Sequence, residues 1–226
     1  MADVTAVVFT DGRRSYIGDT IASFEEQVTG DITRRVINND SADPDDDAWL
    51  KATFPDWTII TTRTRQGFGG AISRVWRILA EDALGAPTRY VWHLEDDFTM
   101  KRPVDLSELT AVLDKAPHLV QLALRRQPWN DAERAAGGVV EQHPGDYTEH
   151  TDGVHAWLEH RRFFTTNPSL YRLALCKRGW PTVPHSEGMF SVELFRNPLR
   201  RCAYWGGRDS GEWVEHTGAE RAGCGY

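Results

Sequence analysis

The fold is decided by the segment Tyr90–Asp97, which reads YVWHLEDD. Its first part is a short apolar run of the kind that forms a strand buried on both faces of a parallel sheet. Its last three residues are consecutive carboxylates, which repel one another unless a cation or hydrogen-bond donors offset their charge. Because open α/β sheets bind ligands outside the carboxyl ends of their strands, this acidic triplet predicts a site at one edge of the sheet.

Strand and helix patterns alternate through the first half of the chain. Apolar runs predict strands over residues 4–10, 32–38, 57–62, 89–94 and 119–124. Between them, apolar residues recur every three to four positions and predict helices, two of which begin at the acidic residues of 43–47 and at Asp105. This alternation predicts an α/β fold with a Rossmann-like, mostly parallel central sheet flanked by helices. The length of 226 residues suits a single domain.

The second half has a weaker pattern. Residues 127–160 are polar and rich in Gly, His and acids, which predicts loops or a mobile lid. An edge strand is predicted over 163–166, with short helices over 169–176 and 187–196. A last strand is predicted over 201–205, followed by a loop-like tail from Gly206.

Composition restricts the class of partner. The chain carries 33 acidic and 26 basic side chains, whereas proteins that hold duplex nucleic acid by its phosphates usually present a basic surface. Three arginine pairs, at 125–126, 161–162 and 200–201, keep a local basic groove open as an alternative. Some of the nine tryptophans are expected in the core, and a few at an acceptor site, where sugar rings stack on aromatic faces.

The chain is expected in the cytoplasm. No apolar run approaches the roughly 20 residues that cross a bilayer, and the start at Met1 and Ala2 lacks the basic and apolar regions of a signal peptide. The odd cysteine count, Cys176, Cys202 and Cys224, fits a reducing compartment and disfavours a disulfide framework.

Hard carboxylate oxygens such as those of the acidic triplet favour Mg²⁺ or Mn²⁺. A metal of this kind bridges the two phosphates of a nucleotide-sugar and stabilises the leaving diphosphate. The alternative from spacing alone is a solvated acidic turn after a strand.

Here the sequence resembles the GT-A fold glycosyltransferases, and among them the family 2-like inverting enzymes, of the short type that bacteriophages and bacteria encode. Besides the DxD-type triplet, three segments carry the resemblance: Thr10–Arg13 (TDGR), Asn38–Asp43 (NNDSAD) and Arg65–Ala71 (RQGFGGA). The resemblance implies that residues 1–125 bind the nucleotide-sugar and that residues 126–226 hold the acceptor and the catalytic base.

Individual roles follow from the same resemblance. Asp97 matches the metal ligand, and His216, before Thr217 and Gly218, matches a late histidine that completes the metal site. Glu187 matches the general base that an inverting transfer needs, although an ordinary acid in the first turn of a helix is its alternative. The residues implied in donor binding are Thr10, Asp11, Arg13, Asn39, Asp40, Arg65, Gly67, Glu95 and Asp96.

The sequence therefore predicts a hexosyltransferase that depends on Mn²⁺ or Mg²⁺ and inverts the configuration of the transferred sugar. The expected donor is a UDP-sugar, and the acceptor is a hydroxyl of a glycan, a protein or a hydroxymethylated DNA base. For a phage-encoded enzyme the compartment would be the host cytoplasm. The alternatives are a non-catalytic sugar- or nucleotide-binding module and a nucleotidyltransferase. The second alternative is disfavoured because the loop at 10–14 is too short to be a phosphate loop.

Overall fold

The computed structural model describes residues 3–85 and 88–220, so Met1, Ala2 and Cys224 lie outside the described residues. The strands are β1 (Val4–Thr10), β2 (Val28–Thr29), β3 (Ile32–Asn39), β4 (Thr58–Ile60), β5 (Tyr90–Glu95), β6 (Phe98–Met100), β7 (Val104–Asp105), β8 (Leu119–Ala123), β9 (Thr148–Thr151), β10 (Ala156–His160), β11 (Ser169–Arg172), β12 (Arg201–Trp205) and β13 (Val214–His216). The α-helices are α1 (Arg14–Gln27), α2 (Pro44–Thr53), α3 (Gly67–Ala80), α4 (Leu106–Lys115), α5 (Asp131–Ala136), α6 (Val139–Gln142) and α7 (Ser186–Leu194).

Nine of the described strands form one mixed sheet in the order β4-β3-β1-β5-β11-β8-β12-β10-β9. The half from β4 to β5 is parallel throughout, as the alternation of strands and helices predicts. The sheet becomes mixed where β11 enters between β5 and β8, antiparallel to both. Beyond β8, strand β12 is parallel to its neighbour, whereas β10 and β9 continue the sheet antiparallel.

Helices cover both faces of this sheet, and β1 shows how. All seven of its residues are buried. Val4, Ala6 and Val8 join the cluster formed with α1, α2 and α4, whereas Val7 and Phe9 join the cluster formed with α3 and α7. Because side chains of a strand alternate between faces, the two clusters lie on opposite sides of the sheet. The predicted α/β architecture with helices on both faces is confirmed. The described sheet is mixed and not mostly parallel, because β11, β10 and β9 pair antiparallel to their neighbours.

The segment 127–160 is not a run of loops, and that prediction was wrong. It contains α5, α6, β9 and β10, and β10 lies inside the sheet with four of its five residues buried. Two of the buried residues, Glu159 and His160, are polar, so the strand has no clean apolar pattern. The carboxylate of Glu159 accepts a hydrogen bond from the indole N–H of Trp157, at 2.9 Å.

The predictions for 163–176 were also wrong. Residues 163–166 form no strand, whereas Ser169–Arg172 is β11 near the middle of the sheet and Leu173–Arg178 is a 3₁₀ helix. The apolar spacing of 170–175 suits a helix, but pairing with two strands overrides that local preference. The tail is not entirely loop-like either, because it contains β13.

Strand β13 carries the tail back to the first half of the chain. It pairs antiparallel with β6, which puts His216 opposite Phe98, the residue after Asp97. Helix α7 matches the helix predicted over 187–196 within two residues at each end. Cys176 and Cys202 are free and buried. Among the described residues, we find no helix with the length and apolar character of a membrane span.

Candidate active site

Two cavities meet at the carboxyl end of β5. The smaller has a volume of about 190 Å³ and lies over the ends of β1 and β5 and the start of α3. The larger has a volume of about 780 Å³ and lies between the start of α7, the segment 161–167 and the loop after β8. Phe68 and Glu95 line both. The two cavities therefore share part of their walls at this edge of the sheet.

The residues predicted to bind the donor converge on the smaller cavity because the ends of β1, β3 and β5 are in register. Its walls include Thr10, Asp11, Arg13, Asp40, Arg65, Gly67, Glu95 and Asp96. Asn39 is the exception. Its side chain is buried, donates to Asp47 at 2.8 Å and accepts from the amide of Ser41 at 3.1 Å, so it shapes the loop before α2 and does not line the cavity.

Arg13 anchors the acidic triplet. Its Nη1 donates to Asp97 Oδ2 at 2.8 Å, its Nη2 donates to Asp96, and its Nε donates to Asp11 at 3.0 Å. Asp96 is 0% exposed, and its second oxygen accepts from the hydroxyl of Thr10 at 2.6 Å. Both oxygens of Asp96 are therefore engaged within the protein, which makes Asp96 a support for the cavity wall more than a free ligand.

The carboxylate of Asp40 is also engaged by hydrogen bonds within the protein. Its carboxylate accepts from the backbone amides of Gln66, at 2.9 Å, and Gly67, at 2.8 Å. These are donors at the start of α3, where helix amides have no partner within the helix. Asp40 thereby fixes the Gly-rich turn that forms one wall of the smaller cavity.

Asp97 and His216 together fit a divalent metal. Asp97 is 3% exposed, and its Oδ1 has no hydrogen-bond partner among the described residues. His216 Nε2 lies 3.5 Å from that oxygen. Neighbouring ligands of an octahedral ion, each about 2.1 Å from the metal, lie about 3 Å apart, so small adjustments would let both atoms bind one ion. No group of three or more His, Cys, Asp or Glu side chains in the described residues converges on a metal position. The remaining ligands would come from a bound molecule or from water.

Gly218 makes this arrangement possible. A Cβ atom at this position would lie 2.3 Å from Asp97 Oδ2, the oxygen that Arg13 holds, and 2.9 Å from Asp97 Cγ. We predict that Gly218→Ala displaces Asp97, weakens Mn²⁺ binding about tenfold and destabilises the protein by about 1–3 kcal/mol. Calorimetric Mn²⁺ titration in the presence of UDP and chemical denaturation measure the two effects.

The matched control is Gly18→Ala in α1, where a Cβ would meet nothing within 4 Å. It should leave Mn²⁺ binding unchanged and stabilise the protein by up to about 1 kcal/mol, because alanine favours a helix over glycine. Equal Mn²⁺ affinities in the two variants would contradict the close packing of Gly218 on Asp97.

Glu187 stands at the start of α7 and lines the larger cavity, as His216 does. Its Oε1 accepts from the backbone amide of Thr166 at 2.8 Å. Burial raises the pKa of Glu187, although hydrogen bonds from Thr166 and Thr165 act in the opposite direction. A carboxylate that is held in position through one oxygen, and whose pKa is raised, is suited to accept a proton.

The electrostatics of the triplet follow from burial and crowding. Burial and the charge of Asp97 raise the pKa of Glu95 well above its ordinary value. Burial also raises the pKa of Asp96 to about 7, against the opposing effect of Arg13. For Asp97, burial is outweighed by His216 and Arg13, and the pKa is lowered. Asp97 is thus the member of the triplet whose lowered pKa favours the charged form.

Sequence reasoning missed three parts of the site. Phe68, within the quoted segment Arg65–Ala71 but given no role of its own, lines both cavities, and Gln127 and Trp129 contact His216 from the loop after β8. No local signal marks the last two, because their contact with His216 depends on a pairing across almost ninety positions. The stretch PWND at 128–131, with Asn130 capping α5, was the only available hint of local order.

Neither a protein-family model nor a curated protein matches the chain. Solved structures resemble it. The mannosyltransferase PcManGT from Pyrobaculum calidifontis in complex with GDP-Man and Mn²⁺ superposes with a TM-score of 0.56 at 14% identity, covering 92% of this chain and 58% of that one. S. aureus TarS 1–349 in complex with UDP-GlcNAc superposes with a TM-score of 0.61 at 16% identity, covering 100% and 62%.

At these identities the likeness shows the fold and nothing finer. The predicted GT-A type of α/β fold, a large sheet flanked by helices, is confirmed. The chain spans less than two thirds of the length of either protein named above.

Proposed function

We propose that this chain is a metal-dependent, inverting glycosyltransferase that moves a hexosyl group from a nucleoside diphosphate sugar to an acceptor hydroxyl. The observation that carries the proposal is that His216, which faces Asp97, and Glu187 line the same cavity, and that this cavity joins the smaller one at Glu95. A candidate metal ligand and a candidate base thus line one cavity, which shares Glu95 with the cavity of the predicted donor residues.

On the donor side, the smaller cavity would hold the nucleotide and the larger the acceptor, which divides the roles between residues 1–125 and 126–226. Arg65, which lines the smaller cavity and is exposed beside its ion pair with Asp11, would offer positive charge to a diphosphate. Arg13, whose guanidinium binds Asp11, Asp96 and Asp97, would hold the acidic triplet in place. Asp97 and His216 would hold Mn²⁺ or Mg²⁺, which supplies a Lewis acid for the departing diphosphate.

On the acceptor side, Glu187 would take the proton of the acceptor hydroxyl. The acceptor oxygen would then attack the anomeric carbon from the face opposite the diphosphate, forming one C–O bond as the bond to the phosphate oxygen breaks. The products would be the glycosylated acceptor, with inverted configuration, the nucleoside diphosphate and protonated Glu187.

The structural neighbours support the choice of donor class. One is a mannosyltransferase with GDP-Man and Mn²⁺ bound, and another carries UDP-GlcNAc. We propose a UDP-sugar for this chain, and a family 2-like enzyme of the short phage or bacterial type. The proposed acceptors share a reactive hydroxyl: a glycan, a protein or a hydroxymethylated DNA base, the last of which would have to be flipped out of a duplex.

The test is a donor screen. Purified protein is heated with UDP-, GDP-, TDP- and CMP-sugars, each with and without Mn²⁺, and the melting temperature and slow donor hydrolysis are recorded. A donor present at 100 times its Kd adds about 2.7 kcal/mol of stability. The proposal expects one sugar nucleotide to stabilise the protein only with Mn²⁺ and to be hydrolysed. Stabilisation without hydrolysis or transfer would favour a non-catalytic binding module, and no response to any nucleotide would contradict the proposal.

A further inference from the structure

The ring of His216 lacks the contact that usually orients a metal-binding histidine. In most such sites the ring nitrogen that does not bind the metal donates to a carboxylate or a carbonyl, which fixes the ring. Here Nε2 faces Asp97, and the other nitrogen, Nδ1, is buried without a hydrogen-bond partner in the described part of the chain. Within the described residues, a hydrogen bond from Nδ1 therefore does not orient the imidazole.

Aromatic stacking covers the imidazole instead. The ring of Phe98 lies 4.4 Å from it, centroid to centroid, with 14° between the planes, and the ring of Trp129 lies 4.3 Å away with 25° between the planes. Phe98 belongs to β6 and is fixed by the pairing with β13. Trp129 comes from the loop between β8 and α5 and is 38% exposed.

Hydrogen bonds fix the loop that carries Trp129. The backbone amide of Trp129 donates to Glu133 at 2.8 Å, and Glu133 also accepts from Arg126 at 2.7 Å. The side-chain amide of Gln127 accepts from the backbone N–H of His216 at 2.8 Å and donates to its carbonyl at 2.9 Å. Trp129 is thus held by a hydrogen bond to α5, the helix that follows it, and, through Gln127, by the strand that carries His216.

We propose that Trp129 is a positioning residue for the metal ligand His216. Its indole stacks on the imidazole and keeps Nε2 directed at Asp97. This stacking takes the place of the hydrogen bond that Nδ1 would otherwise donate. The inference rests on the proposed function, since it requires a divalent metal between Asp97 and His216. In this role Trp129 contacts neither the donor nor the metal.

The test measures Mn²⁺ affinity in the presence of UDP, by the electron paramagnetic resonance signal of free Mn²⁺. Outer-shell partners of metal ligands typically contribute 10–100-fold to metal affinity, so Trp129→Ala and Trp129→Leu are both expected to weaken Mn²⁺ binding about tenfold. Trp129→Phe keeps a flat ring and should stay near the wild type. Thermal unfolding of each variant verifies that it is folded.

A double-mutant cycle separates positioning from a general structural effect. If Trp129 acts through His216, Trp129→Ala should not weaken Mn²⁺ binding further in a His216→Ala background. Further weakening there, or wild-type affinity in Trp129→Ala and Trp129→Leu while His216→Ala is weakened, would overturn the inference and leave the proposed function standing. Absence of Mn²⁺ binding by the wild type with UDP, GDP, TDP and CMP alike would overturn both.

Discussion

Asp97→Asn is expected to remove the metal-dependent part of donor binding and to lower the transfer rate by about 10²–10³. The substitution keeps the size of the side chain but takes away the negative charge that faces His216 and Arg13. Asp97 is the member of the triplet whose pKa is lowered, so it is the carboxylate that presents charge to a cation at neutral pH. The stabilisation by donor and Mn²⁺ together, about 2.7 kcal/mol at 100 times the Kd, should fall to that by donor alone.

The measurement is the melting temperature with the donor found in the screen, with and without Mn²⁺, followed by the transfer rate. Asp56→Asn is the matched control, because Asp56 is exposed and precedes β4, at the edge of the sheet opposite the carboxyl ends of the parallel strands. It should behave as the wild type in both assays. An Asp97→Asn protein that retains the full Mn²⁺-dependent shift would exclude Asp97 as the metal ligand.

The parallel half of the fold was predictable because its local signals and its tertiary structure agree. The buried run of β1, the helical face of α1 and the acids at the start of α2 each indicate the element that forms. In α2, Asp43 accepts from the amide of Asp45 at 2.9 Å, which is the capping role that its position indicates.

The mixed half was less predictable because its strands form through pairing with distant segments, against or without a local sequence pattern. Strand β11 has an apolar spacing compatible with a helix, yet it fills the gap between β5 and β8. Strand β10 buries Glu159, and this charged residue interrupts the apolar pattern by which a buried strand is predicted. Long-range pairing of this kind leaves no mark within a window of ten residues.

The same difference decides which residues of the site could be predicted from the sequence. The acidic triplet and the ends of β1 and β3 were predictable because parallel strands bring their carboxyl ends to one edge. His216 was indicated only by resemblance, and its partners Gln127 and Trp129 were not indicated at all. Their contact follows from the pairing of β13 with β6, two strands of three residues each.

Glu187→Gln is expected to lower the transfer rate by about 10²–10⁴ while leaving the binding of donor and metal unchanged. Glutamine can still accept from the amide of Thr166 but cannot accept the acceptor proton. Glu187 is neither among the residues that line the smaller cavity nor one of the two that face each other at the proposed metal position, so donor and Mn²⁺ binding should stay unchanged. Donor binding is followed by the Mn²⁺-dependent melting shift, and transfer by product formation at saturating donor.

The pH profile adds a second test of the same residue. A base works in its deprotonated form, and burial raises the pKa of Glu187, so the rate should rise with pH through that raised pKa and be lost as pH falls below it. Glu187→Gln should lose this acidic limb along with most of its rate. Glu193→Gln is the control on the same helix, since Glu193 is exposed and pairs with Arg196 at 3.0 Å. If Glu187→Gln keeps the acidic limb and the wild-type rate, the base must be sought elsewhere in the larger cavity.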